Sequence, residues 1–364
     1  MTRQRRITAV VVGAFVVVLA IGAAMAAATP DRPQAKYKIA LSNSFIGNKW
    51  RIEMENLFKA ACKMPPYKVQ VDCSIYNSGN DVSKQTQQIS NLISQHVDAI
   101  VINAASPAGL NGIIKQACDR GIVVVSFDNV VTAPCAQTVN TNQFKFGQQG
   151  AQFLVDQLKG KGNVVMVTGV AGTFADSERN RGALSVFKAH PGIKVVAKYS
   201  GNWDSAAAQR ATAAQLPSLP NIDGVWVSGG TDGVLKAFVS AGKQLPVTAG
   251  EGENGYRRFL LPAGYKGKHT NGISIGQPPF LSLVSLELAR AILAKRHSKS
   301  NIEIPFPVVT HKTVKKGLTV FPTLPDSFFA DFTDSGPNAT LVICVQAALK
   351  GTPCPGSLKI RLPS

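Results

Sequence analysis

Acidic residues are scarce in this chain. Twenty-one Asp and Glu stand against 39 Lys and Arg, a formal charge of +18. Charged residues of both signs make up 16% of the sequence and hydrophobic residues 45%. That balance excludes a disordered chain and describes a globular one. The basic excess raises nucleic acid as a partner. No long Lys/Arg run occurs, however, nor any zinc-finger or basic-zipper spacing. The charge is therefore read as solubility and surface association, with an anionic membrane face as a neighbour, and no nucleic acid is expected. Metal-site patterns are missing as well: there is no Cys-x-x-Cys or His-x-x-x-His, and the five His are scattered. A zinc site is thus not expected. Gly229-Gly230 stands alone, outside any P-loop spacing, and serves backbone geometry as readily as phosphate. No cofactor is expected.

What is present begins at the N-terminus. Arg3, Arg5 and Arg6 precede an almost uncharged apolar run from Ile7 to Ala28 that closes on small residues. A basic start, an apolar core and an A-x-A-like end read as a secretory signal peptide over residues 1–29. The run is about 22 residues, long enough to span a bilayer, so an uncleaved membrane anchor is the alternative. No Cys lies near the cleavage zone, which argues against a lipoprotein. Either way the remainder faces an oxidising compartment. Six cysteines follow: Cys62, Cys73, Cys118, Cys135, Cys344 and Cys354. An even number in that setting favours disulfides. Six cysteines allow 15 pairings, and sequential pairing is the simplest.

About 335 residues after the leader exceed what one core usually serves, so two lobes are expected. From Tyr37 onward, short apolar strands alternate with amphipathic helices. Strands are expected at 38–41, 69–74, 99–102 and 122–127, with helices at 50–63, 81–95 and 110–119 between them. A second set follows, with strands at 163–168, 194–199, 224–228, 247–249 and 273–275. Its helices are expected at 146–158, 176–189, 205–216, 232–241 and 280–294. This rhythm means α/β architecture with two doubly wound parallel sheets. Ligands in such sheets bind beyond the carboxyl ends of the strands. The loops there hold Ser42, Asn48, Trp50, Arg51, Asp128, Arg179, Trp203, Glu251 and Gln277. Flat aromatic faces flanked by carboxylates, amides and guanidinium groups suit a sugar, whose C–H faces stack and whose hydroxyls need partners. Bland readings stand beside each. Trp50 and Trp203 can be packing residues, Asp128 a turn residue, and Asp81, Asn142 and Asp204 plain helix caps.

The stretch from about Lys36 to Lys315 resembles the type I periplasmic sugar-binding proteins of ABC importers, the ribose-, galactose- and galactofuranose-binding components. The resemblance rests on several motifs in order: Gly47-Asn48-Lys49-Trp50-Arg51, Val97 to Ile102 followed by Pro107, Val124 to Asp128, Gly169 to Thr173 with Arg179 ahead of Gly182, Trp203-Asp204, and Gln277-Pro278. It implies a periplasmic binding protein-like I fold with a three-segment hinge. The implied N-terminal lobe is 36–140 plus 277–305, and the C-terminal lobe 141–276 plus 306–321. Crossings are expected near Asn140, Gly276 and Pro305 to Pro307. Residues 322–364 lie outside the resemblance and are read as a stapled extension packed on a lobe. The resemblance also implies a monomer without enzymatic activity that takes a monosaccharide ligand and hands it to a membrane permease from the periplasm. Three departures stand out: Asn129 replaces a frequent Arg, Gly229-Gly230 replaces Asn-Asp, and Glu251 replaces Asp. A sensory subunit, a binder of a non-sugar polar molecule, and a glycosidase using Asp128 and Glu251 are the rival readings.

Overall fold

The computed structural model describes residues 36–297, 301–329 and 331. The expected leader therefore lies outside the described residues, as do Cys344 and Cys354. Among the described residues no helix is long and apolar enough to cross a membrane.

In chain order the first elements are β1 (Tyr37–Asn43), α1 (Lys49–Cys62), α2 (Tyr67–Gln70), β2 (Val71–Asn77), α3 (Val82–Ser94), β3 (Ala99–Asn103), α4 (Asn111–Asp119), β4 (Val123–Phe127) and β5 (Gln137–Asn140). There follow α5 (Gln143–Gln157), β6 (Gly162–Thr168), α6 (Phe174–Ala189), β7 (Ile193–Ser200), α7 (Ser205–Gln215), β8 (Gly224–Val227), α8 (Thr231–Ser240), β9 (Val247–Glu251), α9 (Asn254–Leu260) and β10 (Gly272–Ile275). The last are α10 (Leu281–Leu293), β11 (Ile302–Glu303) and β12 (Val308–Thr310). Two six-stranded sheets result, in the orders β11-β5-β4-β3-β1-β2 and β12-β10-β9-β8-β6-β7. The first sheet is parallel throughout. The second differs from expectation at one edge, where β12 runs antiparallel to β10. Its physical cause is connectivity: β12 arrives from the other sheet, entering at the end where β10 leaves.

Continuous apolar runs make the central strands. Val-Ile-rich β3 and β4 are buried on both faces, as parallel strands between helices must be. On one face of the first sheet, α1 and α10 contribute Met54, Leu57, Phe58, Leu281 and Leu286. On the other, α3 and α4 contribute Ile89, Leu92 and Ile114. Fully burying each such side chain stabilises by roughly 1.5–3 kcal/mol. The second sheet is likewise sandwiched, with Phe146, Leu154 and Phe187 on one face and Val234 and Phe238 on the other. Helix starts follow the sequence closely. Asp81, Asn142 and Asp204 each accept a bond from the backbone N–H three residues on.

The chain passes between the sheets three times: from β5 to α5, from β10 to α10, and from β11 to β12. Two sequential disulfides are formed, Cys62–Cys73 and Cys118–Cys135. The first ties the end of α1 to β2, and the second ties α4 to the approach to β5. Residues 322–329 and Asp331 do not sit on one lobe alone. They touch elements of both sheets, as described below.

Candidate ligand-binding site

The loops after β1, β4, β6 and β7 and the end of β9 meet the β10–α10 connection around one cavity with about 310 Å³ of empty space, part of it open to solvent. It is lined by Asn48, Trp50, Arg51, Asp128, Arg179, Trp203, Glu251 and Gln277, together with Ala175. Ser42 is not among them. Its hydroxyl accepts from Gln85 Nε2 at 3.1 Å, on the α3 side of β1. Strand parity explains this, because neighbouring residues on a strand face opposite sides. The next residue, Asn43, faces the site's own scaffold, accepting from Arg51 Nη1 at 2.8 Å.

Local geometry places each group. Asn48 is the N-cap of α1, its side chain accepting from the Arg51 N–H at 2.9 Å. This start turns Trp50 and Arg51 inward. The Trp50 indole donates to the Gln277 carbonyl at 2.6 Å. Asp128 follows β4 and is the hub of the first half. Its Oδ2 accepts from Asn103 and Asn129, each at 3.0 Å, and pairs with Arg51 Nη2 at 3.2 Å. Its Oδ1 accepts from Gln277 Nε2 at 2.8 Å. Burial lowers the Arg51 pKa, partly opposed by Asp128.

The second half is organised around Arg179, which is 2% exposed. Its Nε donates to Gln143 Oε1 at 2.7 Å, and Nη1 donates to the Ser228 carbonyl at 2.7 Å and to Glu251 Oε1 at 2.9 Å. Its guanidinium lies 3.9 Å from the centroid of the Phe146 ring. Arg181, by contrast, pairs with Glu178 at the surface. Burial pushes Glu251 up to about 8, outweighing the Arg179 guanidinium, and pushes neighbouring Glu253 up to about 7. Trp203 donates to Ser228 Oγ at 2.9 Å. Its indole occupies space that two glycines leave open. A Cβ on Gly169 would stand 2.0 Å from Trp203 Nε1, and one on Gly229 2.8 Å from its Cδ1. Gly229 therefore makes room for an aromatic face. Asp128 and Trp203 adopt φ of 55° and 54°. That left-handed conformation costs an L-residue roughly 1–2 kcal/mol and persists where surroundings over-determine it.

Three supporting residues went unread in the sequence, and a fourth, Asn129, stood out there only as a departure from the family pattern. Asn103, Thr141 and Gln143 orient Asp128, Gln277 and Arg179. Asn129 reaches across the gap, its Oδ1 accepting from the Ala175 N–H at 3.0 Å in the first turn of α6. The sequence also holds a Gly-x-Gly-x-x-Gly spacing, at Gly250, Gly252 and Gly255, running from β9 into α9. Phosphate does not fit there: the Cβ space of these glycines is taken by Thr231, Asp331 and Asp326. No group of three or more His, Cys, Asp or Glu among the described residues could hold a metal ion.

The periplasmic binding protein domain family matches residues 39–297. The chain is 34% identical over 175 residues to a xylitol-binding protein of Mycolicibacterium smegmatis, covering 46% of this chain and half of that protein. It is 27% identical over 280 residues to a ribose import binding protein of Bacillus subtilis, covering 76% of this chain and 88% of that one. The crystal structure of an ABC transporter solute binding protein from Thermobispora bispora superposes with a TM-score of 0.73 at 29% identity, over 90% of this chain and 99% of that chain. Two sheets crossed three times, with one cavity between them, agree with that match, and the chain belongs to the periplasmic binding protein domain family.

Proposed function

We propose that this chain is the periplasmic solute-binding component of an ABC importer, and that it captures a neutral monosaccharide or related polyol without chemical turnover. One observation carries the reading. A cavity between the sheets is lined by two indoles and by two guanidinium groups that each already hold a carboxyl group: Arg51 with Asp128 at 3.2 Å, and Arg179 with Glu251 at 2.9 Å. Each guanidinium already has a carboxyl oxygen bonded to it, so neither lacks a partner. Their free lone pairs and N–H groups suit hydroxyls, and the indoles suit a C–H face. Relatives that carry ribose and xylitol in their names support the same class.

In this reading the two lobes, 36–140 with 277–305 and 141–276 with 306–321, close on the ligand about the three crossings. Ligand contacts with both lobes favour the closed arrangement, and only that difference in affinity shifts the population. Closure buries the polyol and creates the surface that a membrane permease reads. The protein acts as a monomer.

A thermal-shift panel of pentoses, hexoses and polyols tests this. A ligand at 100 times its dissociation constant adds about 2.7 kcal/mol of stability. The expected result is a shift with at least one neutral polyol that disappears in Asp128→Ala and Trp203→Ala. A flat panel, or a hit untouched by both substitutions, contradicts the reading.

A further inference from the structure

The chain beyond β12 continues past the family match and returns to the site from behind. Its backbone is gripped by the start of α9. Asn254 Nδ2 donates to the carbonyls of Phe321, Leu324 and Pro325 at 2.9, 3.1 and 3.1 Å, and Asn254 Oδ1 accepts from the Phe321 N–H at 2.8 Å. The Asn254 and Gly255 N–H groups donate to the carbonyls of Phe328 and Asp326 at 2.7 and 2.8 Å. These contacts fix the segment to the second half. Its other side belongs to the first half. Phe328 and Phe329 are buried in the core with Trp50, Met54 and Leu281. The Phe329 N–H donates to Glu53 Oε2 at 3.0 Å, two residues beyond Arg51 on α1.

Asp331 completes the arrangement. Its side chain is fully buried and pairs with Arg257 Nη2 at 2.7 Å. Arg257 Nε donates to Ser274 Oγ at 2.9 Å, and Ser274 Oγ donates to the Glu251 carbonyl at 3.0 Å. The Asp331 carboxylate also presses on the crossing itself. A Cβ on Gly252 or on Gly276 would lie 2.0 or 2.3 Å from its Oδ1. Burial raises the Asp331 pKa, opposed by Arg257 and by the Gln277 backbone N–H, which faces the same carboxylate. Gln277 holds Asp128 and accepts from Trp50, so the carboxylate stands directly behind a cavity residue.

We propose that residues 321–329 and Asp331 form a strut behind the ligand cavity, and that Asp331 is a positioning residue that fixes Gln277 and the Glu251 strand end for ligand binding. The inference rests on the proposed polyol reading for its affinity consequence, but the strut itself has an independent readout. A buried carboxylate bonded to a rigid guanidinium resists rotation, and the glycines on either side leave it no other place. Removing its charge frees the crossing at 276–278 while the two sheets keep their cores.

The test uses the exported chain with two variants that reach the same end differently. Asp331→Asn removes the charge at equal size. Gly252→Ala keeps the charge and displaces the carboxylate. Phe328→Leu is the control, since it weakens the same segment without touching the crossing. Hydrogen exchange of the ligand-free proteins is expected to quicken roughly tenfold or more at the Gly276 and Gln277 amides in the first two variants only. Titration with D-ribose and xylitol is expected to show a roughly tenfold weaker dissociation constant in those two for whichever probe binds the parent. In a Gln277→Ala background, Asp331→Asn is expected to add little further loss. Unchanged exchange at Gly276 and Gln277 overturns the strut, and so does an affinity loss that Phe328→Leu reproduces. If neither probe binds the parent while exchange quickens as expected, the polyol reading fails and the strut stands.

Discussion

The two halves of the molecule share a plan but are held differently. The first half is stapled: Cys62–Cys73 and Cys118–Cys135 tie helices to strands of one sheet. The second half has no disulfide among the described residues. In place of staples it holds buried ion pairs, Arg179–Glu251 and Arg257–Asp331, with Glu253 close by. Covalent staples act mainly on the unfolded chain and ignore pH. Buried ion pairs depend on partners and on protonation. The first half also buries the Arg51–Asp128 pair, so what sets it apart is the redox-dependent staples that the described residues of the second half lack.

The largest expected effect breaks the second half. Arg257→Met leaves the Asp331 carboxylate buried without its cation, and denaturant unfolding is expected to show a loss of about 3–5 kcal/mol. The comparison in the first half is Cys118→Ser with Cys135→Ser. Opening that link is expected to cost roughly 2–4 kcal/mol. Hydrogen exchange should then quicken around α4 and β5 while β8 and β9 keep their protection. Equal quickening in both halves contradicts the comparison.

Acid dependence sharpens it further. Glu253 and Glu251 are pushed up to about 7 and about 8. An unfolded glutamate titrates near 4.3. Between those values the folded chain holds protons that the unfolded chain releases, so stability falls as pH rises from about 5 to about 8. Melting temperature against pH should slope downward there in the ligand-free protein, and Glu253→Gln should flatten the lower part of the slope. A rising curve, or one that Glu253→Gln leaves unchanged, contradicts the assignment. At the small end stands Arg181→Ala, an exposed pair with Glu178, for which no measurable change is expected.

The long elements were legible because each carried its own period. Strands such as Val123–Phe127 read as apolar runs, and Asp81, Asn142 and Asp204 marked helix starts. The cavity's residues were legible because βα order dictates which loops face the gap. Short elements were not. β5 spells Gln-Thr-Val-Asn, too short and polar to stand out, and α9 begins with Asn-Gly, which also reads as a turn. β11 and β12 exist only because a crossing brings them to a sheet edge. Val69 looked like strand, yet belongs to the turn of helix before β2. Non-local partnerships were the least legible. Arg257 reads as a surface charge beside Arg258, and only the fold brings Asp331 to it. Nothing local in Asn129 announces that its side chain meets Ala175 on the other half.

The most direct measurement is calorimetric titration of the protein with D-ribose, D-allose and xylitol beside ribonate, the acid of the first. The account predicts saturable one-to-one binding of a neutral polyol, much weaker binding of the acid, and recovery of the ligand unchanged. Tight binding of ribonate alone, no heat from any neutral polyol, or conversion of the ligand would contradict it.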